Sequence, residues 1–254
     1  MPDSWFRRWF GDEYKRLYPH RDAREAEAQA RFVIRMLPVT PEWRILDVGC
    51  GQGRHLAYLR GEGFPHCLGL DLSLPLLRDA RASGQPVARG DMRHLPFRRG
   101  GFDLVTSFFT SFGYFATFEE DVEALAQMVS LLKPGGHLFL DLINKPYLVK
   151  HLVPADRRVV EGAVVEQSRR VEGPIDGPGA VVVKDIAITR PDGSREAYQE
   201  RVRLYARDEM TALASRFGLE VKAAFGDEKG GPWRGDDSPR MALLLRASPA
   251  GGKA

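Results

Sequence analysis

The sequence predicts an α/β fold: a mostly parallel sheet with helices on both faces and a small antiparallel β insertion after the fifth strand. Three observations carry this. Short apolar runs alternate with helix-period segments from residue 44 to residue 143, the order that builds parallel strands joined by crossover helices. A glycine triplet, Gly49, Gly51 and Gly53, follows directly on the first of those runs. Beyond Pro154 the pattern changes to β-rich stretches alternating with charges, as antiparallel sheets with one solvated face require.

The elements follow in order along the chain. Residues 1–20 are rich in aromatic and basic side chains, among them Trp5, Phe6, Trp9, Phe10, Tyr14 and Tyr18. Residues 21–37 carry a helical pattern through Ala26, Ala30, Val33, Ile34 and Leu37, ended by Pro38. Residues 44–48 form a short buried strand. A helix after Gly53 places Leu56, Ala57 and Leu59 on one side and stops at Gly61 or Gly63. A second strand, 66–70, ends at Asp71, and a helix covers 74–82. A third strand, 86–89, precedes Gly90-Asp91-Met92, and a fourth covers 102–107. The helix over 119–132 is amphipathic through Val122, Leu125, Met128, Val129 and Leu132. Lys133-Pro134-Gly135-Gly136 breaks it, and a fifth strand covers 137–143. In the insertion, residues 159–171, 180–189 and 196–205 read as β, with a loop over 173–179 and a hairpin turn at Pro191-Asp192-Gly193-Ser194. A helix over 208–217 stops at Gly218. Strands 219–225 and 241–246, separated by a polar loop over 226–239, close the fold, and the tail 248–254 is expected to be disordered.

Composition narrows the functional classes. The chain has 254 residues, 43% hydrophobic and 28% charged, which are globular values. The 37 Lys and Arg residues nearly balance 34 Asp and Glu. They are scattered among the acids, so the clustering of a nucleic-acid footprint is not visible. Two cysteines, Cys50 and Cys67, cannot build a disulfide framework or a cysteine-rich metal site. No apolar run approaches the roughly 20 residues of a membrane helix, and the start of the chain is not a signal peptide. A cytoplasmic location and no metal are the expectations.

The spacing of the glycines bears on the cofactor. A glycine loop between a strand and a helix lets a ligand approach backbone amides at the helix N-terminus. The dinucleotide fingerprint is G-x-G-x-x-G, but its third glycine would fall at Arg54, so the spacing here is G-x-G-x-G. No phosphate-loop lysine motif occurs. Asp71, at the end of the second strand, can accept two hydrogen bonds from a ribose diol. Asp91, after the third strand, can accept from an exocyclic adenine amine.

Together these segments resemble a family. Ile45-Leu46-Asp47-Val48-Gly49-Cys50-Gly51-Gln52-Gly53-Arg54-His55 is similar to the first motif of class I S-adenosylmethionine-dependent methyltransferases. Gly69-Leu70-Asp71-Leu72-Ser73 resembles that family's ribose-binding strand end, and Gly90-Asp91-Met92-Arg93-His94-Leu95-Pro96-Phe97 its adenine-binding segment. Phe102-Asp103-Leu104-Val105 and Leu131-Leu132-Lys133-Pro134-Gly135-Gly136-His137-Leu138 resemble the fourth- and fifth-strand motifs, and residues 219–246 the reversed last two strands. The resemblance implies a seven-stranded Rossmann-like sheet with S-adenosyl-L-methionine as cofactor. It places Asp47 near the methionine amino group and passes Gly49, Cys50 and Gly51 beneath the cofactor. Asp71 takes the ribose hydroxyls, with Leu72 against the adenine. Asp91 takes the adenine amine, and Met92 offers its backbone. Residues 106–111, with Phe108, run beside the methionine moiety. An N-terminal helix is implied to fold over the cofactor, bringing Tyr14, Tyr18 and Arg21, the last toward the methionine carboxylate.

One domain accounts for the chain: an N-terminal helical lid (1–40), a cofactor-binding core (41–153), the antiparallel β insertion (154–206), a closing helix and strands (207–247) and the tail (248–254). The expected activity is in-line methyl transfer from the sulfonium to a small-molecule acceptor. Alignment and exclusion of water do most of that work, so no diagnostic catalytic cluster is expected. The five aromatics among residues 106–115 supply an apolar acceptor pocket, with Phe108 and Tyr114 as its contacts. Of the six histidines, none sits at a metal-ligand spacing, and His20 is the one placed to act as a base. Asn144-Lys145-Pro146-Tyr147 resembles the Asn-Pro-Pro-Tyr signature of amide and nucleobase methyltransferases. It follows the fifth strand rather than the fourth, so it reads as a closing loop. The insertion either caps the acceptor site or forms a dimer surface, which leaves monomer or homodimer open. The rival readings are an RNA methyltransferase, a non-catalytic cofactor-binding or assembly module, and a nicotinamide oxidoreductase.

Overall fold

A computed structural model describes residues 5–18 and 23–249. Two short helices, α1 (Trp5–Trp9) and α2 (Asp12–Leu17), precede α3 (Ala23–Arg35). Then come β1 (Ile45–Val48), α4 (Arg54–Gly61), β2 (Cys67–Asp71), α5 (Leu74–Ala82), β3 (Val87–Arg89), β4 (Phe102–Ser107), α6 (Phe118–Ser130) and β5 (Leu132–Ile143). A short helix α7 (Lys145–His151) leads to β6 (Ala155–Val160), β7 (Ala163–Glu172), β8 (Val181–Thr189) and β9 (Arg195–Arg203). Helix α8 (Arg207–Ser215) and strands β10 (Leu219–Phe225) and β11 (Arg240–Ala247) complete the chain.

The main sheet has seven strands in the order β10-β11-β5-β4-β1-β2-β3. All pairings are parallel except those of β11, which runs against both β10 and β5. The order reverses at β1, whose neighbours are β4 and β2, so the crevice outside its carboxyl end is the switch point where such sheets bind ligands. β1 is buried throughout. Its alternating side chains feed both layers: Leu46 and Val48 pack with α6 and α8, and Ile45 packs with α3 and α4. Caps fix the helix starts. Gly53 caps α4 in a left-handed conformation, Ser73 accepts from the Leu76 amide at 3.3 Å, and Thr117 with Glu120 forms a capping box on α6.

Three sequence expectations are corrected. Residues 159–171 are not one strand but β6 and β7, because Glu161 (φ 49°) and Gly162 (φ 81°) turn the chain left-handed in a tight hairpin. The segment from Lys133 to Gly136 does not separate helix from strand, since β5 already begins at Leu132 and a register shift against β4 absorbs the glycines. The residues after Asn144 form α7 rather than a loop. Asn144 is buried and donates its amide to the carbonyls of Gly235 and Ser238 at 2.9 and 2.7 Å, which fixes the chain where the helix starts. In the tail, the Ser248 amide and hydroxyl both donate to the Gly218 carbonyl, and residues 250–254 lie outside those described.

β6 to β9 form a separate four-stranded antiparallel sheet. Its inner face holds Val165, Ile186 and Ile188 against Trp9 and Leu17 of the N-terminal helices. Trp9 is fully buried, with its ring centroid 4.9 Å from that of Tyr198. The N-terminal helices are therefore wedged between the insertion and the main sheet. Trp9→Ala is expected to lower stability by about 3–5 kcal/mol, measured as a drop in Tm and in the midpoint of urea unfolding.

Candidate functional site

A cleft at the switch point encloses about 1040 Å³ of empty space, part of it open to solvent. The glycine loop forms its floor. The amides of Gly49 and Cys50 donate to the Leu70 carbonyl at 2.8 and 3.0 Å, so the loop folds across the end of β2. Gly49 has φ 79°, and a Cβ there would come within 2.6 Å of the Ser111 Cβ. Only glycine lets the loop after β4 approach this closely.

Asp71 is held from both sides. Its Oδ2 accepts from the Gly51 amide and its Oδ1 from the Ser73 amide, each at 2.8 Å. Burial pushes its pKa up, while these amides pull the other way. Each oxygen keeps a lone pair for the cleft. Asp91 is also engaged. Arg93 donates its amide and Nε to Asp91 Oδ1 at 3.0 and 3.1 Å and Nη2 to Oδ2 at 2.8 Å, while also bonding Glu120. Burial would raise the Asp91 pKa, but Arg93 holds it below the usual carboxylate range.

Asp47 lies behind the floor, 1% exposed. Its Oδ1 accepts from Thr106 Oγ1 at 3.0 Å, and its Oδ2 has no hydrogen-bond partner among the described residues. Burial pushes the carboxyl up to about 7, against the pull of Thr106. Asp47 Oδ2 faces His55 Nδ1 at 3.9 Å, beyond hydrogen-bond reach. His55 Nε2 sits 2.8 Å from Gln29 Oε1. Burial drives the His55 pKa down to about 3, so the ring is neutral at pH 7. It stacks on Phe108 with centroids 3.9 Å apart.

The roof comes from the N-terminal helices and the loop after β4. Phe6, Phe10 and Tyr14 line the cleft with Phe108, Phe109, Tyr114 and Phe115. Phe10 and Tyr114 stack at 5.6 Å, and Trp5 Nε1 donates to the Tyr114 carbonyl at 3.2 Å. Ser73 donates to the Phe10 carbonyl, and Lys15 bridges α2 to Asp79 on α5 at 2.8 Å. In that loop Phe109 (φ 54°) and Thr110 (φ 59°) are left-handed, a conformation that costs a residue with a side chain roughly 1–2 kcal/mol.

The cleft brings together Tyr14, Gly49, Cys50, Gly51, Asp71, Leu72, Asp91, Met92, Phe108 and Tyr114. Asp47 lies one layer beneath. Tyr18 is not among the lining residues: it packs on Trp9 and takes a hydrogen bond from Lys184 of the insertion. Arg21 and His20 lie outside the described residues. Sequence reasoning gave no site role to Phe6, Arg7, Phe10, Arg54 and His55, which line the cleft. Phe6, Phe10, Tyr14 and Tyr18 all recur every four residues, so spacing alone does not separate Tyr18 from the three that reach the cleft. His55 gave no spacing signal. Among the described residues no cluster of His, Cys, Asp or Glu is placed to hold a metal, and no helix is long and apolar enough to cross a membrane.

Residues 46–140 match the family described as methyltransferase domain. A probable tRNA methyltransferase 9B from Bos taurus is 33% identical over 51% of this chain and 28% of its own length. The chain thus spans less than a third of that relative. A dTDP-3-amino-3,6-dideoxy-alpha-D-glucopyranose N,N-dimethyltransferase from Streptomyces fradiae is 27% identical over 82% of this chain and 81% of its own. The solved structure of a SAM-bound amino pentose methyltransferase from Micromonospora echinaspora superposes with TM-score 0.68 at 25% identity, covering 93% of this chain and 97% of that one.

Asp71→Ala is expected to weaken binding of S-adenosylhomocysteine at least about tenfold, the loss of one charge-assisted hydrogen bond or more. Isothermal titration reads this directly, and undiminished affinity would remove Asp71 from the ribose site.

Proposed function

We propose that this chain, which belongs to the class I S-adenosylmethionine-dependent methyltransferases, methylates a small-molecule acceptor, the amine of an amino sugar. One observation carries the choice of acceptor. The likeness to tRNA methyltransferases covers 51% of the chain or less. The likeness to the Streptomyces fradiae amino-sugar dimethyltransferase covers 82%. A match over half of the chain need reach no further than the cofactor site, whereas one of that breadth extends to other elements as well. The scattered charge of the sequence adds no basic stripe for RNA.

The residues present fit S-adenosylmethionine. Asp71 offers both carboxylate oxygens to the ribose, preset by the Gly51 and Ser73 amides. Asp91 keeps its charge beside Arg93 and accepts the adenine amine. Buried Asp47 Oδ2, which has no hydrogen-bond partner among the described residues, is the acceptor available to the methionine ammonium. The cofactor supplies a methyl group already activated on a sulfonium. The aromatic roof of Phe10, Tyr14 and Tyr114 excludes water and holds the acceptor in line with that methyl. Tyr114 is the acceptor contact. Phe108 already gives one ring face to His55 and serves as wall. An amine that arrives unprotonated needs no base from the protein.

Two expectations follow for measurement. With labelled S-adenosylmethionine, methyl transfer should appear on a nucleotide-linked amino sugar and not on tRNA; transfer to tRNA alone would overturn the acceptor assignment. Asp47, raised to about 7 by burial, must ionise to pair with an ammonium, so S-adenosylhomocysteine should bind more tightly as pH rises from about 6 to 8. The stability sign is opposite. A carboxyl with a raised folded-state pKa stabilises the free protein fully below its ordinary value, and that contribution is lost as pH rises through about 7. Asp47→Asn should flatten both profiles.

A further inference from the structure

The backbone after β4 carries two consecutive left-handed residues with side chains, Phe109 (φ 54°) and Thr110 (φ 59°). Glycine would adopt this conformation freely. Residues with a Cβ keep it only where the surroundings over-determine it, and such places cluster at functional sites. The turn closes on the Ser111 amide and hydroxyl, which donate to the Phe108 carbonyl at 3.2 and 2.8 Å, and an ion pair from two other strands holds it from outside. Asp141 of β5 is 2% exposed. Its Oδ2 accepts from the Phe109 amide at 3.0 Å, and its main-chain carbonyl accepts from the Thr110 amide at 2.9 Å. Arg240 of β11 donates Nε and Nη2 to Asp141 Oδ1 at 2.8 and 2.6 Å, and Nη2 also to Thr110 Oγ1 at 2.8 Å. The antiparallel register pairs Asp141 with Ala242 and Ile143 with Arg240, so the two charges are diagonal neighbours on one face.

Each group in this network acts on the loop. An ion pair that only joined β5 to β11 would have no need of the Phe109 amide or the Thr110 hydroxyl. The residues flanking the left-handed pair are the ones that shape the cleft. Phe108 stacks on His55 in front of Asp47. Ser111 sits where only glycine fits opposite, at Gly49. Were Phe109 and Thr110 to relax to right-handed values, the chain would leave β4 in another direction and Ser111 would lift from Gly49.

We infer that Asp141 and Arg240 are positioning residues that hold Phe109 and Thr110 left-handed, and so fix the wall beside the methionine end of the cofactor. This rests on the cofactor reading above. The guanidinium fork is needed because one side chain has to reach a carboxylate and a hydroxyl together.

The test is isothermal titration of S-adenosylhomocysteine into the full chain, with circular dichroism as the folding control. Asp141→Asn should weaken binding about tenfold, equivalent to about 1.4 kcal/mol. Adding Thr110→Gly, which removes the steric penalty at the strained position, should recover most of that loss, whereas a merely structural defect would not be rescued by glycine there. Arg240→Lys keeps the charge but not the fork; it should weaken binding in the same direction and be rescued in the same way, and it carries the test if Asp141→Asn does not fold. Variants binding within about twofold of the unmodified chain, or a loss that Thr110→Gly leaves untouched, overturn the inference. If the unmodified chain itself fails to bind S-adenosylhomocysteine, the cofactor reading falls instead.

Discussion

Gly49 and Cys50 donate their amides to the carbonyl of Leu70, and Gly51 donates to the carboxylate of Asp71, so the chain leaving β1 is stapled across the end of β2. The rest of the site depends on this crossing. It exhausts the local amides of the loop in a way that turns its open side to the cleft, and it orients Asp71 before any ligand arrives. It also brings Gly49 within reach of Ser111 from the next strand over. Three neighbouring strand ends thereby become one rigid floor, at the point where the strand order reverses. The cost is burial of Asp47 and Asp71 in a region of low polarity, which raises both carboxyls. Asp71 is compensated by amides. Asp47 is only half compensated, by Thr106, and its second oxygen has no hydrogen-bond partner among the described residues.

The wall opposite this floor is the meeting place of every peripheral element. Residues 108–115 receive Trp5 from the N-terminus, the Asp141–Arg240 pair from the main sheet and a strand end from the insertion. The Arg203 amide donates to the Gly113 carbonyl at 2.7 Å. Arg203 Nε and the Tyr205 hydroxyl both donate to Asp121 of α6, at 2.9 and 2.7 Å. Burial raises Asp121 to about 6 even against these two donors. The insertion is thus joined to the cleft through charged and hydrogen-bonded groups rather than hung from the sheet by a linker. This attachment favours a role at the acceptor side, and its outer face is covered by ion pairs such as Arg170–Asp185 and Arg201–Glu172.

The arginines around the cleft have a definite physical use. Arg93, Arg203 and Arg240 each bond more than one oxygen through a planar guanidinium, and each lies at a joint around the cleft. Lysine, a single point charge, could not hold two acceptors in a fixed plane. The many exposed pairs elsewhere contribute little individually.

Much of this was legible in the amino-acid order. The alternation of apolar runs and helix-period segments determined the order of strands and helices through residue 143, because hydrophobic periodicity is local. The glycine triplet, Asp71 and Asp91 marked the cleft for the same reason: each ends a strand, and a strand end is a local event. The sequence also determined that an antiparallel sheet follows, though the hairpin at Glu161-Gly162 is marked only by one glycine between two apolar runs. What only the tertiary structure decided is which distant groups converge. The rotation of α1 and α2 chose Phe6, Phe10 and Tyr14 for the cleft and sent Tyr18 to the insertion, a choice made by the packing of Trp9 against strands more than 150 residues away in sequence. The left-handed turn at Phe109 and Thr110 closes locally on the Ser111 amide and hydroxyl, which donate to the Phe108 carbonyl, yet neither central residue prefers that conformation. It is kept because Asp141 and Arg240, brought together by antiparallel pairing of β5 and β11, add hydrogen bonds from outside the turn.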